Sequence, residues 1–168
     1  VVINDDQEQM SKILMISPEK CLGCRSCELM CSFNKDGEFN PRHAAVSVLS
    51  YEEAGISVPV MCMQCENPSC MKVCPVGAIS RDKNGAVVSD PNKCIVCKMC
   101  ISACPLGNIT FNKKEKKIIK CDLCGGDPNC AKICPVGAIE YKEATAANMT
   151  KKKVIADKFK ELFGEVDK

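Results

Sequence analysis

Lys93-Cys94-Ile95-Val96-Cys97-Lys98-Met99-Cys100-Ile101-Ser102-Ala103-Cys104-Pro105 is the stretch on which the reading of this chain turns. Its cysteines are spaced C-x2-C-x2-C-x3-C-P, a run that holds a [4Fe–4S] cubane. Three thiolates so close in sequence let one short loop wrap a cluster, with backbone N–H groups near enough to hydrogen-bond its sulfides. The fourth, Cys104, precedes Pro105 and is therefore biased to extended backbone, so the chain turns outward there. In a two-cluster arrangement that fourth cysteine serves the other cluster.

Three more groups surround this one. Cys21, Cys24, Cys27 and Cys31 repeat the x2, x2, x3 spacing, with Ser32 where proline is expected. Without that proline the outward turn at Cys31 is less constrained. Gly23 lies inside the same loop, where a missing side chain lets backbone approach a cluster. Cys62, Cys65, Cys70 and Cys74-Pro75 are spaced x2, x4, x3, and Cys121, Cys124, Cys130 and Cys134-Pro135 are spaced x2, x5, x3. The groups form a repeat of the type A-B-A-B. Ser17-Pro18-Glu19-Lys20-Cys21 matches Asp90-Pro91-Asn92-Lys93-Cys94, and Asn67-Pro68-Ser69-Cys70 matches Asp127-Pro128-Asn129-Cys130. Both of the latter run on to Cys-Pro-Val-Gly-Ala-Ile.

Sixteen cysteines in 168 residues have three physical readings. A disulfide scaffold needs an oxidising compartment, yet no charged n-region with an apolar h-region opens the chain. Zinc sites pair two C-x2-C knuckles across a longer gap and need no third cysteine two residues on. Clusters need the runs seen here, so four [4Fe–4S] clusters are expected. Each oxidised cluster is a 2+ core bound by four thiolates. Four of them take the formal net charge of +2 to about −6, and the lysines offset cluster charge rather than mark a nucleic-acid surface. No apolar run approaches the ~20 residues of a membrane span, so a chain without a direct membrane span is expected.

The elements follow from short apolar alternations between turn residues. Ile13 to Ile16 reads as a strand. Ala45 to Leu49 and Ile56 to Met61 read as a hairpin inserted between the first two groups. Ala86 to Val88 is a strand after the Asp82-Lys83-Asn84-Gly85 turn. Ile109 to Phe111 and Ile118-Ile119 form another hairpin about a lysine-rich turn. Val1 to Gln9 precede Met10-Ser11-Lys12, which reads as an ordinary start, so residues 1–12 are taken as an extension. Residues 142–168 form a tail, with Thr150 to Val166 a helix that places Ile155, Phe159, Leu162 and Phe163 on one face.

Other residues carry weaker signals. His43 is the only histidine, and with no acid or nucleophile motif beside it in sequence it reads as a plain loop residue. Met15, Met30, Met61, Met63, Met71 and Met99 read as filling irregular gaps around the cubanes. Lys113-Lys114 and Lys116-Lys117 read as a solvated turn, or else as a patch for an acidic partner. Lys20, Lys93 and Lys120 each precede the first cysteine of a group. Such a lysine raises a cluster's potential if close, and is a solvated surface residue if not. No phosphate-binding or dinucleotide loop is present.

The order of the groups, x2-x2-x3, x2-x4-x3, x2-x2-x3 and then a wider fourth, resembles the four-cluster, ferredoxin-like electron-transfer subunits of molybdenum and tungsten bis-pterin oxidoreductases. The dimethyl sulfoxide reductase small subunit is their familiar member. The resemblance covers about Ile13 to Tyr141 and includes the Asn40-Pro41-Arg42 segment. The chain is short for that family. Compactness and the lack of a twin-arginine signal make it more similar to small subunits of cytoplasmic tungsten enzymes, among them aldehyde oxidoreductases and ATP-independent benzoyl-CoA reductases.

The resemblance implies an α+β fold of two nested bacterial ferredoxin-like modules within residues 13–141. The outer module takes the groups at 21–31 and 121–134, and the inner one those at 62–74 and 94–104. One cluster would be held by Cys21, Cys24, Cys27 and Cys134, and its mate by Cys121, Cys124, Cys130 and Cys31. The inner pair would be Cys62, Cys65, Cys70 with Cys104, and Cys94, Cys97, Cys100 with Cys74. It also implies an electron-transfer subunit with no catalytic site of its own, expected in an anaerobic, cytoplasmic setting. Its partners would be a large subunit carrying tungsten or molybdenum bis-pterin and a further redox protein. A free polyferredoxin shuttle is the alternative.

Overall fold

The computed structural model describes residues 12–143. The extension over residues 1–9 and the helix expected from Thr150 to Val166 lie outside the described residues.

Small antiparallel pairs and short helices make up the described residues, an α+β architecture. β1 (Lys12–Ile16) pairs with β8 (Ile139–Glu143), the two ends of the cysteine-bearing region, in the register Ile16↔Ile139. Between them lie three hairpins: β2 (Val46–Tyr51) with β3 (Ile56–Met61), β4 (Ile79–Arg81) with β5 (Val87–Ser89), and β6 (Ile109–Asn112) with β7 (Lys117–Lys120). Each sheet has two strands only. Asp82 shapes the β4–β5 turn by accepting from the N–H groups of Asn84 and Ala86, both at 2.9 Å.

Each cysteine group feeds one helix. α1 (Ser26–Asp36), α2 (Ser69–Lys72), α3 (Met99–Ala103) and α4 (Asn129–Lys132) follow in chain order. α1 packs on α4, and α2 on α3. The first pair belongs with β1–β8 and β2–β3, the second with β4–β5 and β6–β7. The second unit is thus enclosed in sequence by the first.

α2, α3 and α4 end ahead of their Cys-Pro dipeptides, as the restriction on the residue before proline requires. α1 does not. With Ser32 in place of proline it runs through Cys31 for eleven residues and ends at Gly37, whose φ of 69° takes the left-handed cap. The fourth cysteine of group one is therefore carried on a helix, not on an extended turn. Ser32 is fully buried; its hydroxyl donates to the Leu29 carbonyl at 2.9 Å and accepts from Asn40 N–H at 3.1 Å. Asn40 in turn caps the 3-10 turn Pro41–His43 by accepting from Arg42 N–H.

Two apolar cores result. Leu14, Val46, Val48, Met61, Leu123 and Ile139 gather in one with Cys27, Cys31 and Cys130, whereas Ile79, Val87 and Ile109 meet Cys100 in the other. Of the methionines read as gap fillers, Met15 and Met61 are buried, but Met63 and Met99 are about half exposed.

Candidate metal centres

The first two cysteines of each group sit on loops whose backbone reaches positive φ. Gly23 (φ 68°), Gln64 (49°), Val96 (59°) and Leu123 (55°) occupy the same place between them. This left-handed step curls the loop into a cup. At Gly23 it also brings the backbone against β3, for a Cβ there would lie 2.7 Å from Ser57 Oγ.

The cups are completed from the partner group. One cavity is lined by Cys94, Cys97 and Cys100 with Cys74. A second is lined by Cys62, Cys65 and Cys70 with Cys104. A third is lined by Cys21, Cys24 and Cys27 with Cys134. Counting space open to solvent, they measure about 380, 540 and 320 Å³. Where α1 meets α4, Cys130 has Cys121, Cys31, Cys124 and Cys27 as electrostatic neighbours, Cys31 has Cys124, and Cys121 has Cys62 and Cys31. Among the described residues, no three His, Cys, Asp or Glu side chains converge on the space of a single ion. Thiols spread around a cavity are the donor set of a cubane, whose irons sit at separate corners.

Three of the four fourth cysteines accept a backbone N–H at sulfur. Ala78 N–H and Ala138 N–H donate to Cys74 Sγ and Cys134 Sγ, each at 3.2 Å, and Ala45 N–H donates to Cys31 Sγ at 3.3 Å. Burial pushes the Cys74 thiol up, but N–H groups of Ile79, Val76, Ala78 and Gly77 outweigh it and bring it below the usual thiol range. The hydroxyl and N–H of Ser26 lower Cys24 in the same way. The deeper thiols behave oppositely. Burial pushes Cys27 up to about 11, and Cys121 and Cys130 up to about 12. Those protons leave readily only if a positive metal core replaces them.

Several polar residues hold the cups in place. Glu28 is buried; its Oε1 accepts from Val48 N–H at 2.6 Å, and Arg25 Nη1 lies 3.5 Å from Oε2, which has no hydrogen-bond partner. Lys35 Nζ donates to Asp122 Oδ1 at 2.9 Å, and Asp122 also accepts from Cys124 N–H. Burial alone would raise Asp122, yet the Lys35 ammonium holds its carboxyl below the usual range.

His43 is more than a plain loop residue. Its Nδ1 lies 3.1 Å from Asp36 Oδ2, and Lys117 Nζ donates to Asp36 Oδ1 at 2.6 Å. The acid is distant from the turn lysines in sequence, which is why no local motif announced it. Lys114 Nζ likewise donates to Glu38 at 3.0 Å, so two of the four turn lysines already have acidic partners within the chain. Of the three lysines that precede a group, Lys20 and Lys93 are exposed and Lys120 is buried.

Fold and thiol sets together define a multi-cluster iron–sulfur protein of ferredoxin-like build. Residues 54–144, just over half of the chain, match the 4Fe-4S dicluster domain family, and the chain belongs to it. It carries [4Fe–4S] clusters, and its sixteen cysteines in four groups provide for four. Over 85 residues the chain is 42% identical to the aliphatic sulfonate oxidoreductase, polyferredoxin-like subunit, of Pyrococcus furiosus, a match covering 50% of this chain and 49% of that protein. It is 36% identical over 89 residues to the arsenate respiratory reductase iron-sulfur subunit ArrB of Shewanella sp., covering 51% and 38% respectively. The chain thus matches about half or less of the length of these curated relatives. Among solved structures, it is similar at 26% identity and a TM-score of 0.49 to a chain of the active site complex BamBC of benzoyl coenzyme A reductase as isolated, covering 86% of this chain and 89% of that one.

Proposed function

We propose that this protein is the electron-transfer subunit of an oxidoreductase complex and conducts electrons through four [4Fe–4S] clusters to or from a large subunit with a molybdenum or tungsten bis-pterin. The ligands on this reading are Cys21, Cys24, Cys27 and Cys134; Cys31, Cys121, Cys124 and Cys130; Cys62, Cys65, Cys70 and Cys104; and Cys74, Cys94, Cys97 and Cys100. The observation that carries it is the crossing of cysteines between groups, three from one loop and the fourth from its partner, around one shared cavity in each of three sets. The printed names of the relatives, subunits of reductases and of an oxidoreductase, favour a partner that does the chemistry on substrate. The clusters supply one-electron chemistry when bound. The chain contributes burial, N–H donors to sulfur and local charge, which set how easily each cluster accepts an electron.

Cys24, Cys65 and Cys97 are exposed, which brings three of the sets to the surface where a partner would approach. The same reading extends to a tungsten enzyme in the cytoplasm, which metal analysis of the purified complex and cell fractionation test. Among the described residues no helix is long and apolar enough to cross a membrane.

The deciding experiment is anaerobic isolation from the native source, with metal analysis and mass spectrometry of whatever travels with the chain. A large pterin-bearing subunit and about sixteen irons and sixteen sulfides per copy of this chain are expected. A chain that purifies alone with full iron would be a free polyferredoxin shuttle, and twelve irons with four free thiols would remove one cluster.

A further inference from the structure

Among the described residues Lys120 is the only buried lysine or arginine, at 4% exposure. It is the last residue of β7, immediately before Cys121, and its side chain runs toward the group-two loop. Nζ donates to Cys62 Sγ at 3.4 Å, to the Cys121 carbonyl at 3.1 Å and to the Val87 carbonyl. These three acceptors match the three N–H bonds of an ammonium. Lys120 also lines the cavity of Cys62, Cys65, Cys70 and Cys104.

Burying an ammonium is costly unless negative charge compensates it. Two carbonyl dipoles and one sulfur are a thin complement on their own. A cluster of net charge −2 at Cys62 supplies the rest, and on one-electron reduction that charge becomes −3. A fixed cation in contact stabilises the second state more than the first. Lys20 and Lys93 hold the matching place before their own groups but are solvated, where water and salt screen their charge. A purely structural role for Lys120 has a competitor already in position. Gln64 clamps the same two residues with neutral groups, donating from Nε2 to the Cys121 carbonyl at 3.1 Å and accepting from Val87 N–H at 2.8 Å.

We propose that Lys120 raises the reduction potential of the cluster held by Cys62, Cys65, Cys70 and Cys104 by placing a buried ammonium against Cys62 at the seam with the Cys121 loop. The step it governs is the one-electron reduction of the core from 2+ to 1+ by the redox partner. No bond is made or broken at the lysine. The inference rests on the ligand sets proposed above.

The test is potentiometry followed by electron paramagnetic resonance on anaerobic holoprotein of the Lys120→Met and Gln64→Leu variants. With full iron, Lys120→Met is expected to make one cluster at least tenfold harder to reduce, a shift of about 59 mV for one electron. That cluster should be the one whose signal Cys104→Ser also perturbs. Gln64→Leu, which removes the neutral clamp and leaves the cation, should shift it much less. Full iron with four unshifted potentials in Lys120→Met overturns the proposal, and so do equal shifts in the two variants. If Lys120→Met fails to assemble, pulsed resonance on reduced wild-type protein labelled with 15N-lysine decides. A nitrogen coupling from lysine at one cluster is required, and its absence overturns the contact. Iron content of the wild type separates the two readings, since a protein with no cluster at the Cys62 set fails the ligand assignment instead.

Discussion

Cys74 and Cys134 stand directly before prolines, and each accepts an N–H from the alanine four residues on. That turn fixes the sulfur away from the loop that precedes it and toward the partner group. Cys74→Ser is therefore expected to perturb the cluster at Cys94, Cys97 and Cys100, leaving the one at Cys62, Cys65 and Cys70 intact. Resonance spectra of the two inner clusters check this, and damage at the Cys62 set instead would mean each loop holds its own fourth cysteine. Glu28 works on a different term. Its carboxylate is the acceptor for the buried Val48 N–H, and Glu28→Ala would leave that donor orphaned at a cost of about 1–3 kcal/mol. Glu28→Gln keeps an acceptor there and should lose less. Rates of cluster bleaching in denaturant, Ala faster than Gln and Gln near wild type, report the difference.

At the scale of elements, α1 departs from its three counterparts because one residue differs. Ser32 lets the helix continue and bonds both Leu29 and Asn40. Restoring the repeat's proline would put it inside a helix, removing an N–H donor and clashing with the preceding turn, at a cost of about 3 kcal/mol. Ser32→Pro is thus expected to lose outer-module clusters first, seen as iron falling toward eight per chain while inner-cluster signals persist. Unchanged iron and spectra would show that α1 need not pass through Cys31. The hairpins were legible beforehand because alternating apolar residues between turn residues encode them locally: β2 and β3 fall within a residue or two of the expected ends. The cysteine runs were legible for the same reason. The length of α1 was not, since Ser32 signals only a missing stop. Nor was the burial of Lys120, which shares its place in the repeat with two exposed lysines and differs only in what packs across from it. His43 drew its partner Asp36 from the end of α1, and Lys117 from the far side of the β6–β7 turn, a juxtaposition no local spacing contains.

For the whole molecule, the question is what holds four two-stranded sheets and three one-turn helices together. An isolated pair of strands is marginal in water, and among the described residues few large apolar side chains are fully buried. Thiols occupy core positions instead: Cys27, Cys31, Cys100 and Cys130 lie among the buried residues of the two cores. Without metal, those positions hold small, weakly packing groups around open cavities, so cluster binding supplies much of the folding free energy. Chelation or oxygen exposure should then abolish native circular dichroism and cooperative unfolding together, and an apoprotein with a sharp native-like transition would contradict this. The direction with pH follows from the buried thiols. Burial pushes Cys27 up to about 11 and Cys121 and Cys130 up to about 12 in the folded chain, above the ordinary value of about 8.5. A raised pKa means that any folded apoprotein is stabilised below the ordinary value and loses that stability as pH climbs toward the raised ones. Cluster uptake needs the same protons gone, so it should release acid and strengthen with rising pH over the same interval. Anaerobic reconstitution at a series of pH values, with proton release read by indicator, should therefore show occupancy growing with pH. Uptake independent of pH between about 8 and 10 would mean that the thiols are already ionised before the clusters arrive.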